Sequence, residues 1–287
     1  MIDRLFPEEL LREVLSHNIS VKYADFVAYR RPFGMQPDDR ESERDRNGHL
    51  LLVSKRWLRI GTPLLYECLQ LRTPEHTTTV AEFFRTHPFL GLCVRCLRLE
   101  GGLGKDLARV TKFIPKVHTI YFSLKIKSSH SVTGLKKALP LLQPSALYIQ
   151  EETHRDNKKI SEARSILHSC IHRNWISLKS VSLSEFSSLM LTRGLADAIA
   201  RSSVEEFSSD ACDVVHWIED GTIHKILRSP WLKRIECRGN KSKFTIQKLF
   251  QEKQVPAEEV RRFSFVPGWR DDFLQMVLSD DSDEDWD

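Results

Sequence analysis

One frame recurs along this 287-residue chain: a short segment with apolar residues at its first, fourth and sixth positions. It reads Val94-Leu97-Leu99, Val117-Ile120-Phe122, Pro144-Leu147-Ile149, Leu178-Val181-Leu183, Val204-Phe207-Ser209, Leu232-Ile235-Cys237 and Val260-Phe263-Phe265. Pro144 and Ser209 depart from the apolar rule. With 41% of the residues hydrophobic, such a frame also arises by chance, so the constraint lies in its spacing. Successive starts fall 23, 27, 34, 26, 28 and 28 residues apart. The intervals carry stripes at helical spacing, among them Leu103, Leu107, Val110 and Ile114, then Ile160, Ala163, Leu167 and Ile171. Tyr66-Leu69-Leu71 is a candidate eighth copy.

Alternating strands and helices predict right-handed βα units stacked on a parallel sheet, because each unit alone leaves an apolar face uncovered. The fullest copy, LKRIECRGN from Leu232 to Asn240, reads L-x-x-I-x-C-x-x-N. It resembles a leucine-rich repeat, whose period the spacings match or slightly exceed. The Asn of that repeat is mostly missing here, so the resemblance implies an irregular horseshoe, with a compact α/β domain as the alternative. The expected fold class is α/β on either reading. Neighbouring strand residues point to opposite faces, which puts Arg98, Tyr121, Tyr148, Arg234, Arg238 and Arg262 on the concave side. Tyr and Arg are common anchors of protein interfaces. These six are the expected contacts to a protein client.

Ahead of the repeats stand two apolar blocks. FPEELLREVLSH, from Phe6, reads as a helix: Pro7 suits the first helical position, and Glu8 and Glu9 oppose the positive end of the helix dipole. Leu10, Leu11, Val14 and Leu15 form its stripe. The second block is predicted helical from Leu50 to Ile60, stopped by Gly61-Thr62-Pro63, with a short third helix near Leu64 to Cys68. Such short helices cannot bury all their apolar surface among themselves, which leaves a partner or the following domain to cover it.

The two blocks together resemble an F-box. Phe6-Pro7 stands at its Leu-Pro, Glu9-Leu10-Leu11 and Val14-Leu15 follow, and Leu52-Val53-Ser54-Lys55-Arg56-Trp57 matches its Leu-Val-Cys-Lys-x-Trp, with Ser at the usual Cys. The resemblance covers about 40 residues. It implies docking on the Skp adaptor, and through it on a cullin, by Phe6, Pro7, Leu10, Leu11, Val14, Leu52, Val53, Lys55 and Trp57. The alternative is that these residues are the inner core of a helical cap. Ile19 to Gly48 replaces the family's short connector; its charged second part predicts a mobile loop. Lengthening a loop costs only about 0.6 kcal/mol per doubling, so the pair can still form.

The domains expected are therefore residues 1–72, F-box-like with the insertion at about 19–48; 73–278, repeat-like; and an acidic tail, 279–287. The tail carries six acids and no base, so the remaining chain is more basic than the total of +4 suggests. It reads as a disordered solubilising end. No signal-peptide pattern and no run of about 18 apolar residues occurs, which predicts an intracellular chain, cytoplasmic or nuclear, away from membranes. Six scattered cysteines fit free thiols in a reducing compartment.

Other motifs point away from chemistry. LEGGLGKDLAR, Leu99 to Arg109, lacks the Gly and Ser/Thr positions of a phosphate loop. Cys93 and Cys96 send their side chains to opposite faces of a strand, and no second pair follows. His168 and His172 share a helix face without a zincin Glu. The lysines form no aromatic-interleaved strip, so nucleic acid is not an expected partner. The expectation is a non-catalytic ligase adaptor without cofactor or metal, a monomer within a hetero-complex. Its alternative is an interaction scaffold.

Overall fold

The computed structural model describes residues 6–22, 26–27, 48–150, 157–183, 189–239 and 243–266. The acidic tail and most of the expected loop lie outside the described residues. The chain divides into two compact units, Met1–Pro144 and Ser145–Asp287. Both are α/β with parallel strands.

The first unit opens with α1 (Glu8–Ile19), a 3₁₀ turn (Gly48–Leu52) and α2 (Lys55–Leu65). It continues through β1 (Cys68–Leu71), α3 (Pro74–Thr86), α4 (Pro88–Gly91), β2 (Cys96–Leu99), α5 (Leu107–Val110), β3 (Thr119–Ser123) and α6 (Leu135–Ala138). Each strand pairs in parallel with the next, aligning Leu69 with Leu97 and Ile120, and Leu71 with Leu99 and Phe122. Apart from Leu69, which is half-buried, these side chains are buried.

The second unit comprises β4 (Ala146–Gln150), α7 (Lys158–Ser169), β5 (Ser180–Leu183), α8 (Leu189–Ala200) and β6 (Glu206–Asp210). Then come α9 (Ala211–Glu219), α10 (Thr222–Leu227), β7 (Arg234–Arg238), α11 (Lys243–Glu252), α12 (Ala257–Val260) and β8 (Phe263–Val266). Leu147, Val181, Phe207, Ile235 and Phe263 form one aligned row. All eight expected strands are present, at the frames read from the sequence.

The frame has a backbone cause. The carbonyl at its second position accepts two N–H groups from the next frame: Glu67 O takes Arg95 N at 2.8 Å and Cys96 N at 3.0 Å, and Arg95 O takes those of His118 and Thr119. Ser145, Lys179 and Glu205 repeat the pattern in the second unit. Because the acceptor is main chain, any side chain is tolerated there. One such row has become ionic: the Glu205 carboxylate lies 2.6 Å from Lys179 Nζ and 2.5 Å from Lys233 Nζ. Hydrogen bonds from these two ammonium groups hold its pKa down at about 2.

The helices depart from expectation in length. The stripe Leu103, Leu107, Val110, Ile114 is fully buried, yet only Leu107–Val110 is helical. The 23-residue spacing there leaves room for one turn, whereas the 34-residue spacing admits the twelve residues of α7. At Ser209, where the frame breaks, the hydroxyl donates to Asp213 at 3.2 Å and so enters the interior satisfied.

On α7, His168 is packed against Gly194 of α8, so closely that a Cβ on that glycine would sit 2.6 Å from the ring. Its Nε2 is buried without a partner among the described residues. Burial, aided by the charge of Arg164 and opposed by Asp197, lowers its pKa to about 4. An unfolded imidazole titrates near its ordinary 6.5, so the unfolded chain takes up this proton first. Stability attributable to His168 is therefore complete above pH 6.5 and lost progressively toward pH 4. We expect urea unfolding of wild type and of His168→Leu to run parallel above pH 6.5, and the wild type to fall faster below it. Equal acid slopes would refute the assignment.

Candidate functional site

The two N-terminal blocks meet. Leu11, Leu15 and Ile19 of α1 pack with Leu51 and Leu64, and Leu50, Trp57 and Ile60 close the sides. These α1 residues recur every four positions, and Trp57, Ile60 and Leu64 are spaced three and four apart, so each set lies on one helix face. Gly61 makes the contact close: a Cβ there would lie 2.2 Å from Leu51 Cδ2 and within 3.5 Å of Leu15 and Ile19. Across the rim, Arg56 donates to the Phe6 carbonyl and pairs with Glu8 at 3.7 Å, and Arg59 also pairs with Glu8. Exposed ion pairs add at most about 1 kcal/mol, so the apolar seam carries the joint.

α2 differs from the expected helix at both ends. It begins after Ser54, whose hydroxyl accepts the Trp57 N–H at 3.2 Å as an N-cap. The Ser found where the resembled motif has Cys is thus a helix start signal. α2 also runs through Pro63 to Leu65. The proline falls in the last turn, where it forfeits one backbone bond; of the expected third helix only Leu64 and Leu65 are helical, as the end of α2, and Cys68 already opens β1.

A second stripe faces solvent. Phe6, Leu10 and Val14, one position behind the buried set, are exposed, as are Leu58 and Leu65 seven residues apart on α2. In the turn before α2, Leu52 is 83% and Val53 61% exposed. Pro7 and Lys55 are exposed as well, and Trp57 is half-buried. One expected contact needs correction: Leu11 faces the seam and is buried, so it holds the pair together and offers nothing outward.

The strand-face residues fare differently from one another. Arg98 and Tyr121, expected to lie open, are each about 1% exposed. The Arg98 guanidinium lies 3.8 Å from the centre of the Tyr121 ring and pairs with Glu100 at 2.7 Å. Phe26 explains the burial. It comes from the first part of the insertion, ahead of the charged stretch expected to be mobile; its carbonyl accepts from Arg98, and its ring meets Tyr121 edge-on with centroids 6.4 Å apart. The chain's own aromatic covers this part of the face.

In the second unit, Arg238 donates to the Leu183 carbonyl, and Arg262 donates to Leu227 O at 3.0 Å, capping the end of α10. Both are half-buried. Arg234 is exposed and pairs with Glu206 at 3.3 Å. Tyr148 is half-buried in a row that continues through Ser182, Ser208, Glu236 and Ser264. Of the six expected client contacts, Arg234 is the one that is exposed.

The remaining motifs take structural places. Gly101 lies so near Arg72 that a Cβ would meet its carbonyl at 1.8 Å, and Gly102 has φ +66°; the glycine run makes a close turn. Cys96 stands in register beside Cys68 on β1, away from Cys93. Among the described residues no group of three or more His, Cys, Asp or Glu could hold a metal ion, and no helix is long and apolar enough to cross a membrane. No protein-family model matches the chain, and no curated protein matches it.

The two stripes of α1 differ in what they contribute to stability. Leu15→Ala, in the seam, should cost about 3 kcal/mol of unfolding free energy, whereas Leu10→Ser, on the outer stripe, should stay within about 0.5 kcal/mol. Equilibrium denaturation of both variants checks this.

Proposed function

We propose that the chain is a non-catalytic, F-box-type adaptor: the helix pair docks on the Skp adaptor of a Skp-cullin-F-box ubiquitin ligase, and an irregular leucine-rich-repeat-like array carries a protein client. One observation supports the docking half above all. The pair closes its own core and yet leaves Phe6, Leu10, Val14, Leu52 and Val53 in water. Fully burying one such side chain is worth about 1.5–3 kcal/mol, which a partner can recover. A helical cap serving only to close the first strand would bury them.

The inserted span leaves the seam intact, since both blocks pack through residues on either side of it. The repeat-like reading is supported by strands that pair in parallel in sequence order, with frame positions aligned. On this reading Leu11 and Trp57 shape the platform, and Phe6, Pro7, Leu10, Val14, Leu52, Val53 and Lys55 touch the adaptor.

Co-expression with the Skp adaptor followed by size-exclusion chromatography and calorimetry tests the reading. A stable one-to-one complex is expected. Leu52→Asp with Val53→Asp should weaken it by more than about tenfold without shifting the melting temperature of the free chain, and Lys136→Glu should leave it unchanged. Absence of a complex, or one indifferent to the double variant, refutes the proposal.

A further inference from the structure

The second unit contains a cleft that neither the docking surface nor the strand face uses. It measures about 430 Å³ and is built by three chain segments that each leave a helix and lead toward a strand. Its walls include Ile176, Trp231, Arg173, Arg201, His172 and Pro230. That volume falls in the range of small binding pockets.

A local irregularity shapes one wall. After α7 the helix widens into a π turn, Cys170–Asn174, closed by Trp175 N to Cys170 O at 2.9 Å. Such turns are rare and often sit at functional sites. Here it turns Trp175 into the core, and its neighbour Ile176 is left 77% exposed. Trp231, in the loop before β7, is 57% exposed. Two large apolar side chains thus stand in water on one cleft.

The walls are held in place. The Ser203 hydroxyl donates to Ile176 O at 3.0 Å, tying the loop after α8 to the loop before β5. His172 Nδ1 lies 3.4 Å from Arg201 O, linking the same two loops again. The charge is of one sign: Arg173, Arg201 and His172 line the cleft and, among the described residues, no Asp or Glu does. Neither Arg173 nor Arg201 forms an ion pair among the described residues. A basic residue near a helix end is explained singly by the helix dipole. The dipole does not account for two exposed apolar side chains beside them.

We propose that this cleft binds a short acidic peptide segment bearing one large apolar side chain, seated against Ile176 and Trp231, with its carboxylates on Arg173 and Arg201. The aliphatic share of the walls, Ile176, Ala200 and Pro230, favours a peptide over a stacked base. The proposal is independent of adaptor docking, so the failure of one leaves the other standing.

The test is fluorescence anisotropy with the full chain and a labelled peptide of six aspartates around one leucine. Controls are the same peptide with serine for leucine and a labelled thymidine oligonucleotide. Saturable binding is expected for the leucine peptide only. Trp231→Ser and the double variant Arg173→Glu with Arg201→Glu should each weaken it about tenfold or more, and Lys136→Glu should not. Circular dichroism melts show whether each variant is folded. Binding of the serine peptide with equal affinity, binding of the oligonucleotide in place of the peptide, insensitivity to both variants, or no saturable binding overturns the proposal.

Discussion

The structure depends on a single main-chain contact repeated from strand to strand: one carbonyl that accepts two successive N–H groups of the next frame. It sets the height at which the strands join from β1 to β3 and from β4 to β7, and the apolar rows follow from that height; at β8 the sense is reversed, Arg262 O accepting Ile235 N. A one-residue slip would carry Leu97, Ile120 or Phe207 to the opposite face and strand their packing partners. Side chains at the contact itself are free to vary, which is how Glu205 comes to stand between two lysines in one row. The strands are short, four or five residues each. Little of their alignment can come from any strand alone.

What was legible in the sequence is what repeats. Every strand was found because the frame samples the same physical need eight times, and even the weak copy at Ser209 kept its place through spacing. Helix lengths were less legible. A stripe such as Val132, Leu135, Leu139 and Leu142 records which residues are buried, but a turn-rich loop buries them as well as a helix does. α3 has no strong apolar stripe, and its sequence signal is Thr73-Pro74: the Thr73 hydroxyl caps His76 N at 3.1 Å. The limits of α2 are hidden because Pro63 predicts a stop, whereas near a helix end proline is cheap.

The expected face of Arg98 and Tyr121 failed for a different reason. Alternation along a strand says which face a residue occupies and nothing about what lies over that face. Phe26 sits in a stretch without periodicity, and no pattern marks it as a lid on β2 and β3. Because it is tethered to the same chain, it acts at a high effective concentration, and a ligand seeking Arg98 or Tyr121 must displace it. Among the described residues no such side chain covers Arg234 or the cleft beside Trp231.

The helix α1 carries its two stripes side by side, Leu11-Leu15-Ile19 turned inward and Leu10-Val14 turned out, with Phe6 just ahead of the second. Successive residues on a helix differ by about 100°, so the gap between the stripes is a single residue step. Inserting one residue between Glu8 and Leu10 would rotate Leu10 and Val14 into the seam, where leucine and valine could still fill space, and would turn Leu11 and Leu15 to water, whereas deleting one would bring Arg12 and Ser16 inward. A helix so arranged keeps leucine and valine in the seam under an inserted residue and loses them under a deletion, so its outer face is easier to remodel over generations by substitution than by a change of register.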